Sequence, residues 1–345
     1  MSFELDVLAE ASDGDHFDQA AELFEEWQAT VNKQPEPPKA VHPPELEDFL
    51  AEDYPERRQL LGPILNESVI IAAGPPGSGK TNVAIAISHA VCAGRNFLGW
   101  HAPHKHSVLY IDGEMSGRQL QERLNLYDFP DDREPLHIVN AISWAARNGL
   151  DHPNLALTEW QDKICEWAVG HGLVILDNVI SLVNVPGLSF SSDEFWRTVI
   201  LLNLRLRAIG CTVIWWDHTN AEGRPFGTRT KEWGADLVFT LKENGKTVFY
   251  EDCPGVAFTL SFRKVRGAKG KEHQDIDCEM YPNENGKAVW KWKPRKAAEM
   301  EEAADFQASG MKQRQIARKM GISLGKVSKL LKAARKAKEY EARRG

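Results

Sequence analysis

The 345-residue chain is long enough for one large domain or two to three smaller ones, and its 42% hydrophobic content is typical of globular proteins that bury a core. It has no stretch approaching the roughly 18 apolar residues of a membrane span, no signal-peptide pattern at its acidic start, and no CxxC pair among its five cysteines. These features predict a cytoplasmic protein without a membrane partner, disulfide framework or zinc site. The net charge of −7 is unevenly distributed along the chain, because residues 311–345 carry 12 Lys and Arg against two Glu.

Residues 1–55 form the first predicted region, an acidic N-terminal arm. An amphipathic helical pattern covers 17–31, and a proline-rich linker covers 33–45. Proline at that density favours extended chain. We interpret this region as an arm that binds a protein partner.

Residues 56–293 alternate between short apolar strands and helices, which predicts a mostly parallel sheet covered on both faces. The predicted strands are 68–73, 107–112, 173–177, 212–217 and 236–241, with helices after the first strand and around 155–170 and 193–209. Four later strand-like segments are spaced as hairpins: KTVFYED, FTLSFRKV, IDCEMYP and AVWKWK. They are expected to extend the sheet in antiparallel fashion at one edge, and the predicted fold class is α/β.

The segment GPPGSGKT at 74–81 matches GxxxxGK[ST] between a strand and a helix, the context that this phosphate-binding loop requires. Gly77 and Gly79 let backbone N–H groups turn inward around phosphate oxygens, and the helix N-terminus adds partial positive charge. Lys80 is expected to reach the β- and γ-phosphates, and the Thr81 hydroxyl to ligate Mg²⁺. The predicted ATP-binding set is Gly74, Pro75, Pro76, Gly77, Ser78, Gly79, Lys80, Thr81 and Asn82.

Acidic residues follow three other predicted strands, and ligands of open α/β sheets bind where strands end. Asp177 after LVIL suits a Walker B carboxylate that orders Mg²⁺ through water. Asp112 and Glu114 follow the second strand, while Asp217 and His218 follow the fourth. One acidic strand end is commonly a helix cap, but three in one nucleotide-binding sheet predict a catalytic centre.

Two further segments of this region carry cations. Lys264 and Arg266 are two residues apart on a predicted strand and should share a face; a solvated edge strand that resists aggregation is the alternative. The long loops 184–196 and 220–233 have the irregular, Gly-containing character of functional loops. In the second loop, Arg224, Arg229 and Lys231 could track a single-stranded DNA backbone, with Phe226 as a stacking face, unless these are ordinary surface loops.

Residues 294–345 predict a small all-α domain with the spacing of a DNA-binding helix-turn-helix. The expected buried side comprises Ile316, Ala317, Met320, Ile322, Val327, Leu330 and Leu331, with Gly321 in the turn and Ser323 as a cap. The residues expected to contact a duplex are Ser323, Lys326, Lys329 and Lys332. A helical hairpin used for protein contacts is the alternative.

The ordered motifs GPPGSGKT, YIDGEMS, LVILDN, WWDHT and FRKVRG resemble the RecA-type ATPase core over about residues 55–270. More narrowly, they resemble the plasmid- and phage-encoded hexameric helicases of the RepA kind, which are related to DnaB-type replicative helicases. The resemblance implies a RecA-like P-loop NTPase fold, ATP and Mg²⁺ as cofactors, and a homo-oligomer that is expected to be a hexamer.

The resemblance also implies a role for each matching residue. Glu114 matches the glutamate that activates the attacking water, with Asp112 as the rival carboxylate. His218 matches the sensor of the γ-phosphate, although a histidine bonded in a turn is the alternative. Lys264 and Arg266 match the pair that projects into the neighbouring subunit's ATP site, where an arginine finger contributes about 10³–10⁵ in rate.

We therefore expect an ATP-hydrolysing DNA motor, specifically a replicative-type helicase of a phage or plasmid. Its core loops would contact single-stranded DNA, and its tail would contact duplex DNA. RepA-type cores are not generally described with such a tail, which suggests recruitment to duplex DNA. The alternatives are an ATP-switched DNA-binding regulator and a loader that acts on a partner through the acidic arm.

Overall fold

The computed structural model describes residues 42–54, 56–189, 192–246, 248–250, 253–267 and 273–342. The chain divides into two compact units, Met1–Glu56 and Arg57–Gly345. The predicted amphipathic helix 17–31 and most of the proline-rich linker lie outside the described residues. The described part of the first unit contains helix α1 (Leu46–Ala51), on which Leu46, Phe49 and Leu50 are exposed.

The second unit alternates strands and helices and ends in three helices. Its elements are β1 (Gln59–Leu61), β2 (Ile64–Leu65), β3 (Val69–Gly74), α2 (Lys80–Ala93), β4 (Val108–Asp112), α3 (Gly117–Leu124), β5 (Leu136–Asn140), α4 (Ala141–Asn148), α5 (Thr158–Ala168), β6 (Leu173–Asp177), α6 (Val179–Leu182), α7 (Asp193–Ala208), β7 (Thr212–His218), α8 (Thr230–Gly234), β8 (Leu237–Glu243), β9 (Phe249–Tyr250), β10 (Cys253–Pro254), β11 (Val256–Val265), β12 (Ile276–Pro282), β13 (Ala288–Pro294), α9 (Arg295–Ala308), α10 (Gln313–Lys319) and α11 (Leu324–Ala342).

Nine of the described strands form one sheet in the order β13-β12-β11-β8-β3-β7-β6-β4-β5. The six strands from β8 to β5 run parallel, whereas β11, β12 and β13 add an antiparallel edge. This confirms the predicted α/β fold with a mostly parallel sheet. The expectation for KTVFYED was wrong, because β9 pairs with β10 in a separate two-stranded hairpin.

Side chains of the central strands point alternately to the two faces of the sheet and belong to two hydrophobic cores, one on each face. On one face, Ile70 of β3 packs in a cluster with residues of α2, including Val83 and Ile87. On the other face, Ile71 packs with residues of α5 and α7, including Ile164. These side chains are at most 1% exposed, and each contributes about 1.5–3 kcal/mol of burial free energy. Both faces of β3 are therefore fixed, which also fixes the loop that follows it.

The predicted strands and helices of the parallel block are present within three residues, but strand β5 was missed. Its pattern LHIVN is mixed because β5 lies at the sheet edge, where His137 and Ile138 are exposed. An edge strand lacks the continuous apolar run that identifies a central parallel strand. No helix in the described part of the chain is long and apolar enough to cross a membrane.

The helices α9, α10 and α11 pack around a small core of their own. Ala303, Ile316, Val327, Leu330 and Leu331 are buried there, with Ala317, Met320 and Ile322 packed against them. The Ser323 side chain accepts a hydrogen bond from the backbone N–H of Lys326 at 3.2 Å, as predicted for a cap. Arg295 joins this unit to the sheet by donating to Asp277 at 2.9 Å.

Candidate active site

The glycine-rich loop between β3 and α2 has the backbone geometry that the sequence predicted. Gly77 and Gly79 have φ angles of 75° and 88°, a region open to glycine at little cost. The Lys80 amine donates hydrogen bonds to the carbonyl oxygens of Gly74 and Pro75, both at 3.0 Å. Burial lowers the pKa of Lys80, opposed by the charge of Asp177. Phosphate oxygens could replace the two carbonyls as acceptors of its protons.

Strand register brings the predicted acidic residues to the same edge of the sheet. Gly74 at the end of β3 pairs with His218 of β7, and Asp112 of β4 pairs with Asp177 of β6. The four strands therefore end at the same edge of the sheet, within two residues of one another, beside the glycine-rich loop.

Asp177 connects the loop to the strand ends. Its Oδ2 atom accepts hydrogen bonds from the Thr81 hydroxyl at 2.9 Å and the Tyr110 hydroxyl at 2.7 Å. The residue is 3% exposed, and burial raises its pKa while these two donors lower it. A Thr hydroxyl held by a strand-end carboxylate is the arrangement expected around a Mg²⁺ that binds through Thr81.

Glu114 lies beside Asp177 and is held by a residue that sequence reasoning missed. The side-chain amide of Asn178 donates a hydrogen bond to Glu114 Oε2. Asn178 also caps the short helix α6 by accepting from the backbone N–H groups of Ile180 and Ser181 at 3.0 and 3.1 Å. The carboxylate of Glu114 is thus oriented from a rigid strand end.

These residues surround one cavity of about 220 Å³. It is lined by Pro76, Gly77, Gly79, Lys80, Thr81, Asn82, Glu114, Met115, Arg123, Asp177, His218 and Val256. The cavity therefore brings together most of the predicted ATP-binding set, the predicted metal-binding residues, the predicted base and the predicted sensor. Lys264, Arg266 and the predicted DNA-binding residues do not line it.

Asp112, the rival to Glu114, has a supporting position. Its carboxylate accepts from the Asn140 amide at 2.6 Å and from the backbone N–H of Met115 at 3.3 Å. Burial and then the charge of Asp177 raise the pKa of Asp112 to about 6. Asp112 thus shapes the loop that carries Glu114, while Glu114 itself faces the cavity.

The raised pKa of Asp112 predicts a pH dependence of stability in nucleotide-free, Mg²⁺-free protein. A folded-state pKa of about 6 against 3.8 means that the folded state binds the proton more tightly. The free energy of unfolding therefore falls as pH rises from about 4 to 6, by at most about 3 kcal/mol from this group. Urea unfolding should show that this fall is smaller in Asp112→Asn than in the wild type; an identical pH profile for both proteins would contradict the assignment.

His218 and Asp217 at the end of β7 point to different partners. His218 Nδ1 lies 3.4 Å from Lys80 Nζ, and burial together with Lys80 lowers the pKa of His218. Asp217 is 2% exposed and forms a buried ion pair with Lys231, which is 4% exposed. His218 is therefore positioned at the cavity, next to the cation expected to contact phosphate.

Lys231 was predicted to bind DNA, but in this structure it faces inward. Its amine donates to Asp217 and to the carbonyl oxygen of Phe226, and it lies 5.8 Å from the ring centre of Trp196. A buried, fully engaged amine is not available to a DNA backbone in this conformation. By contrast Arg229 and Phe226 are exposed, and Arg224 is half-exposed and 3.5 Å from Glu222.

Arg266 lies at the opposite end of the sheet from the cavity, and Lys264 lies two residues before it on β11. Val256 at the start of β11 lines the cavity, and Lys264 is eight residues further along, roughly 25 Å at 3.3 Å per residue. The backbone N–H of Arg266 donates to the Asp236 carbonyl at 2.8 Å, and the Asp236 side chain in turn accepts from the N–H of Val69 at the start of β3. Neither cation can reach the cavity of its own subunit.

The two cations are also presented differently, which their spacing did not predict. The register of β11 shifts between Phe262 and Lys264, and the strand ends at Val265. The Lys264 amine donates to the carbonyl oxygens of Glu232 and Trp233. Arg266 is exposed, and it has no ion pair with any residue that the structure describes. Arg266 is thus the more available of the two.

In the tail, Ser323, Lys326, Lys329 and Lys332 are all exposed, as predicted for a surface that meets DNA. Lys326 has an ion pair with Glu299 at 2.8 Å.

A further cation, Arg123 of α3, was missed by sequence reasoning. It lines the cavity and contacts Met115 Sδ through Nη1 at 3.3 Å. Its position in the helix that follows Glu114, two turns after the Ser116 cap, is the signal that could have identified it.

The residues present fit a nucleotide and Mg²⁺. The Ser78 hydroxyl and Asn82 Oδ1 are buried without a hydrogen-bond partner among the described residues, and buried polar atoms usually have one. The described residues contain no group of three His, Cys, Asp or Glu poised to hold a metal. A Mg²⁺ near Thr81 and Asp177 would therefore take further ligands from phosphates and water, as this ion commonly does.

A family profile described as "AAA domain" matches residues 35–224. No curated protein matches the sequence. Among solved structures, the flagellar accessory protein FlaH from Methanocaldococcus jannaschii is similar at 13% sequence identity and a TM-score of 0.43, covering 66% of this chain and 90% of that chain.

Proposed function

The chain belongs to the AAA domain family and is a RecA-like P-loop ATPase, and from that premise we propose that it is a homo-oligomeric DNA motor of the RepA-like helicase type. In this proposal each ATP is hydrolysed at a seam between two copies. The core loops contact single-stranded DNA, and the three-helix tail is a helix-turn-helix that contacts duplex DNA.

The chemistry within one subunit is derived from the residues around the cavity. Glu114, held by Asn178, accepts a proton from the attacking water, and a base needs to lie within hydrogen-bond reach of that water. Lys80 and Arg123, which both line the cavity, stabilise the negative charge of the phosphates. A Mg²⁺ held through Thr81 and Asp177 would neutralise part of the same charge.

Glu114→Gln is expected to lower the rate of ATP hydrolysis by about 10²–10⁴ while nucleotide binding stays within a factor of about three. Glutamine keeps an oxygen that accepts from Asn178, so the local fold should hold. Steady-state hydrolysis and the Kd for a fluorescent ATP analogue measure the two effects. Wild-type turnover by this variant would assign the base elsewhere. The matched control is Glu122→Gln, which removes a carboxylate from an exposed ion pair with Arg118 and should leave hydrolysis unchanged.

One observation carries the proposal of a shared site. Arg266 is an exposed cation at the end of the sheet that lies opposite the cavity. A cation there can assist hydrolysis only in a second copy, and a head-to-tail contact that repeats around an axis closes into a ring. Lys80 and Arg123 supply positive charge in cis, and Arg266 supplies it in trans.

The contacts with DNA rest on the exposed cations. Arg224, Arg229 and the aromatic face of Phe226 follow the sensor strand, where they suit a phosphate backbone with stacked bases. Lys326, Lys329 and Lys332 of α11 suit the phosphates of a duplex. The tail carries the basic excess of an otherwise acidic chain, which supports a role in binding nucleic acid.

Strand displacement from a forked DNA duplex tests the motor directly. The proposal expects displacement that requires ATP and Mg²⁺ and disappears in Glu114→Gln. Duplex binding measured beside it, with and without residues 311–345, isolates the contribution of the tail. ATP-dependent duplex binding without any displacement would refute the motor.

ATP-dependent duplex binding without strand displacement is the behaviour expected of the second candidate, an ATP-switched DNA-binding regulator. The observation that favours it is the polar attachment of the tail: Arg295 donates to Asp277 and to Thr259 at 2.9 and 3.1 Å. Thr259 lies on β11, the same strand whose Val256 lines the cavity. The tail is therefore connected to the ATP site through one strand.

A further inference from the structure

The short helix α8 (Thr230–Gly234) contacts both ends of the sheet. Its second residue, Lys231, is buried and paired with Asp217, which precedes the predicted sensor His218. At its other end, the carbonyl oxygens of Glu232 and Trp233 accept hydrogen bonds from the Lys264 amine. One helix of five residues thus touches the strand that ends at the ATP site and the strand that leads to Arg266.

The connection from the cavity to Lys231 runs through close polar contacts. Lys80 Nζ lies 3.4 Å from His218 Nδ1, and the backbone N–H of His218 donates to Asp217 Oδ1 at 2.7 Å. Phe226 closes the loop by donating its N–H to the His218 carbonyl at 2.8 Å, while its own carbonyl accepts from Lys231. The Asp217–Lys231 pair therefore either resists a displacement of Lys80 or His218 or passes that displacement on to α8.

The contacts between α8 and the segment that carries Arg266, the proposed arginine finger, are equally direct. Lys264 lies two residues before Arg266, and Arg263 lies 3.9 Å from the Glu232 carboxylate of α8. The Arg266 backbone is fixed by Asp236, which lies just after α8 in the chain. The positions of Lys264, before the end of β11, and of Arg266, after it, thus depend on the position of α8.

We propose that α8 links the two ATP sites that one subunit serves, with Lys231 as the positioning residue that ties it to the subunit's own sensor and Lys264 as the contact that aligns Arg266 for the neighbour. The state of one site then controls the hydrolysis that the same subunit assists in the next. Lys264 acts within its own subunit by holding α8 against β11 through hydrogen bonds, and Arg266 is the cation that enters the neighbouring site. This inference rests on the proposed function.

The test uses mixed oligomers in which one subunit type only accepts a finger and the other only donates one. The acceptor is Arg266→Ala, whose own site is complete. The donor is Glu114→Gln, whose own site cannot hydrolyse, so that further changes in the donor cannot act through its own turnover. Hydrolysis by the mixture reports the finger of the donor.

Adding Lys231→Met to the donor is expected to lower the kcat of the mixture at least about tenfold, a small part of the effect of an arginine finger, with KM for ATP unchanged. The matched control is Lys246→Met, which removes a lysine from an exposed ion pair with Glu279 and should leave the mixture unaffected. A donor with both Asp217→Asn and Lys231→Met removes the buried pair without leaving an unpaired carboxylate, and it should be equally poor.

Each outcome is decisive. Full activity with either the Lys231→Met donor or the double variant would overturn the link while leaving the shared site intact, because the basic mixture remains active. An inactive basic mixture, with both variants folded and oligomeric, would overturn the shared site and with it the link. Size-exclusion chromatography with ATP checks that every donor assembles.

Discussion

Lys80→Ala is expected to abolish ATP hydrolysis, with a loss of at least about 10²–10³ in turnover. The Lys80 amine lies within the cavity, 3.4 Å from His218, and donates to carbonyl oxygens that phosphate oxygens can replace. Removing it takes away the only lysine that lines the described cavity. Phosphate release in the presence and absence of single-stranded DNA measures the effect.

The control for Lys80→Ala concerns folding. The core side chains of β3 and α2 are untouched by the change, so the thermal unfolding midpoint without nucleotide should remain within a few degrees of wild type. Nucleotide binding should weaken, and the rise of that midpoint on adding ATP should shrink with it. Turnover near the wild-type rate would mean that the glycine-rich loop is not where ATP is cleaved.

Arg266→Ala is expected to lower turnover by about 10³ or more while leaving ATP affinity unchanged. The side chain is exposed and lies at the far end of the sheet from the cavity of its own subunit. It can therefore contribute to hydrolysis only across a contact between copies. Turnover and the Kd for a fluorescent ATP analogue should separate the two effects.

The matched control for Arg266→Ala is Arg133→Ala, which removes an exposed arginine that packs over Phe129. It should leave hydrolysis within a factor of about two, as is usual for changes of surface residues. If an Arg266→Ala protein that stays monomeric with nucleotide and DNA turns over at the wild-type rate, Arg266 has no role in catalysis.

Much of the architecture was predictable because its signals are local. The apolar runs around Ile70 and Ile175 identify central parallel strands, and Gly77 with Gly79 identifies a loop that only a positive φ allows. The alternation of strands and helices then places all the strand ends at one edge. The fold class, the glycine-rich loop and the position of Asp177 and Glu114 after strand ends followed from these features, whereas the role of Glu114 came from the resemblance to RecA-type ATPases.

The remaining features depend on contacts between distant parts of the chain. Nothing in the loop 220–233 indicates that Lys231 turns inward to a carboxylate 14 residues earlier. The register shift between Phe262 and Lys264 arises from pairing with β8, which the sequence of β11 alone does not encode. Asn178 donates to Glu114 although the two residues are 64 positions apart in the chain, and that contact appears only in three dimensions.

The most direct measurement is a mixing experiment with two variants that are each inactive. Glu114→Gln keeps Arg266 but cannot activate water, and Arg266→Ala keeps a complete cavity but offers no finger. If hydrolysis occurs at a shared seam, an equal mixture should regain about one quarter of the wild-type rate, because that fraction of seams joins one intact cavity to one intact finger in a closed ring. If the mixture of assembled proteins stays as inactive as its components, the seam is not where ATP is cleaved.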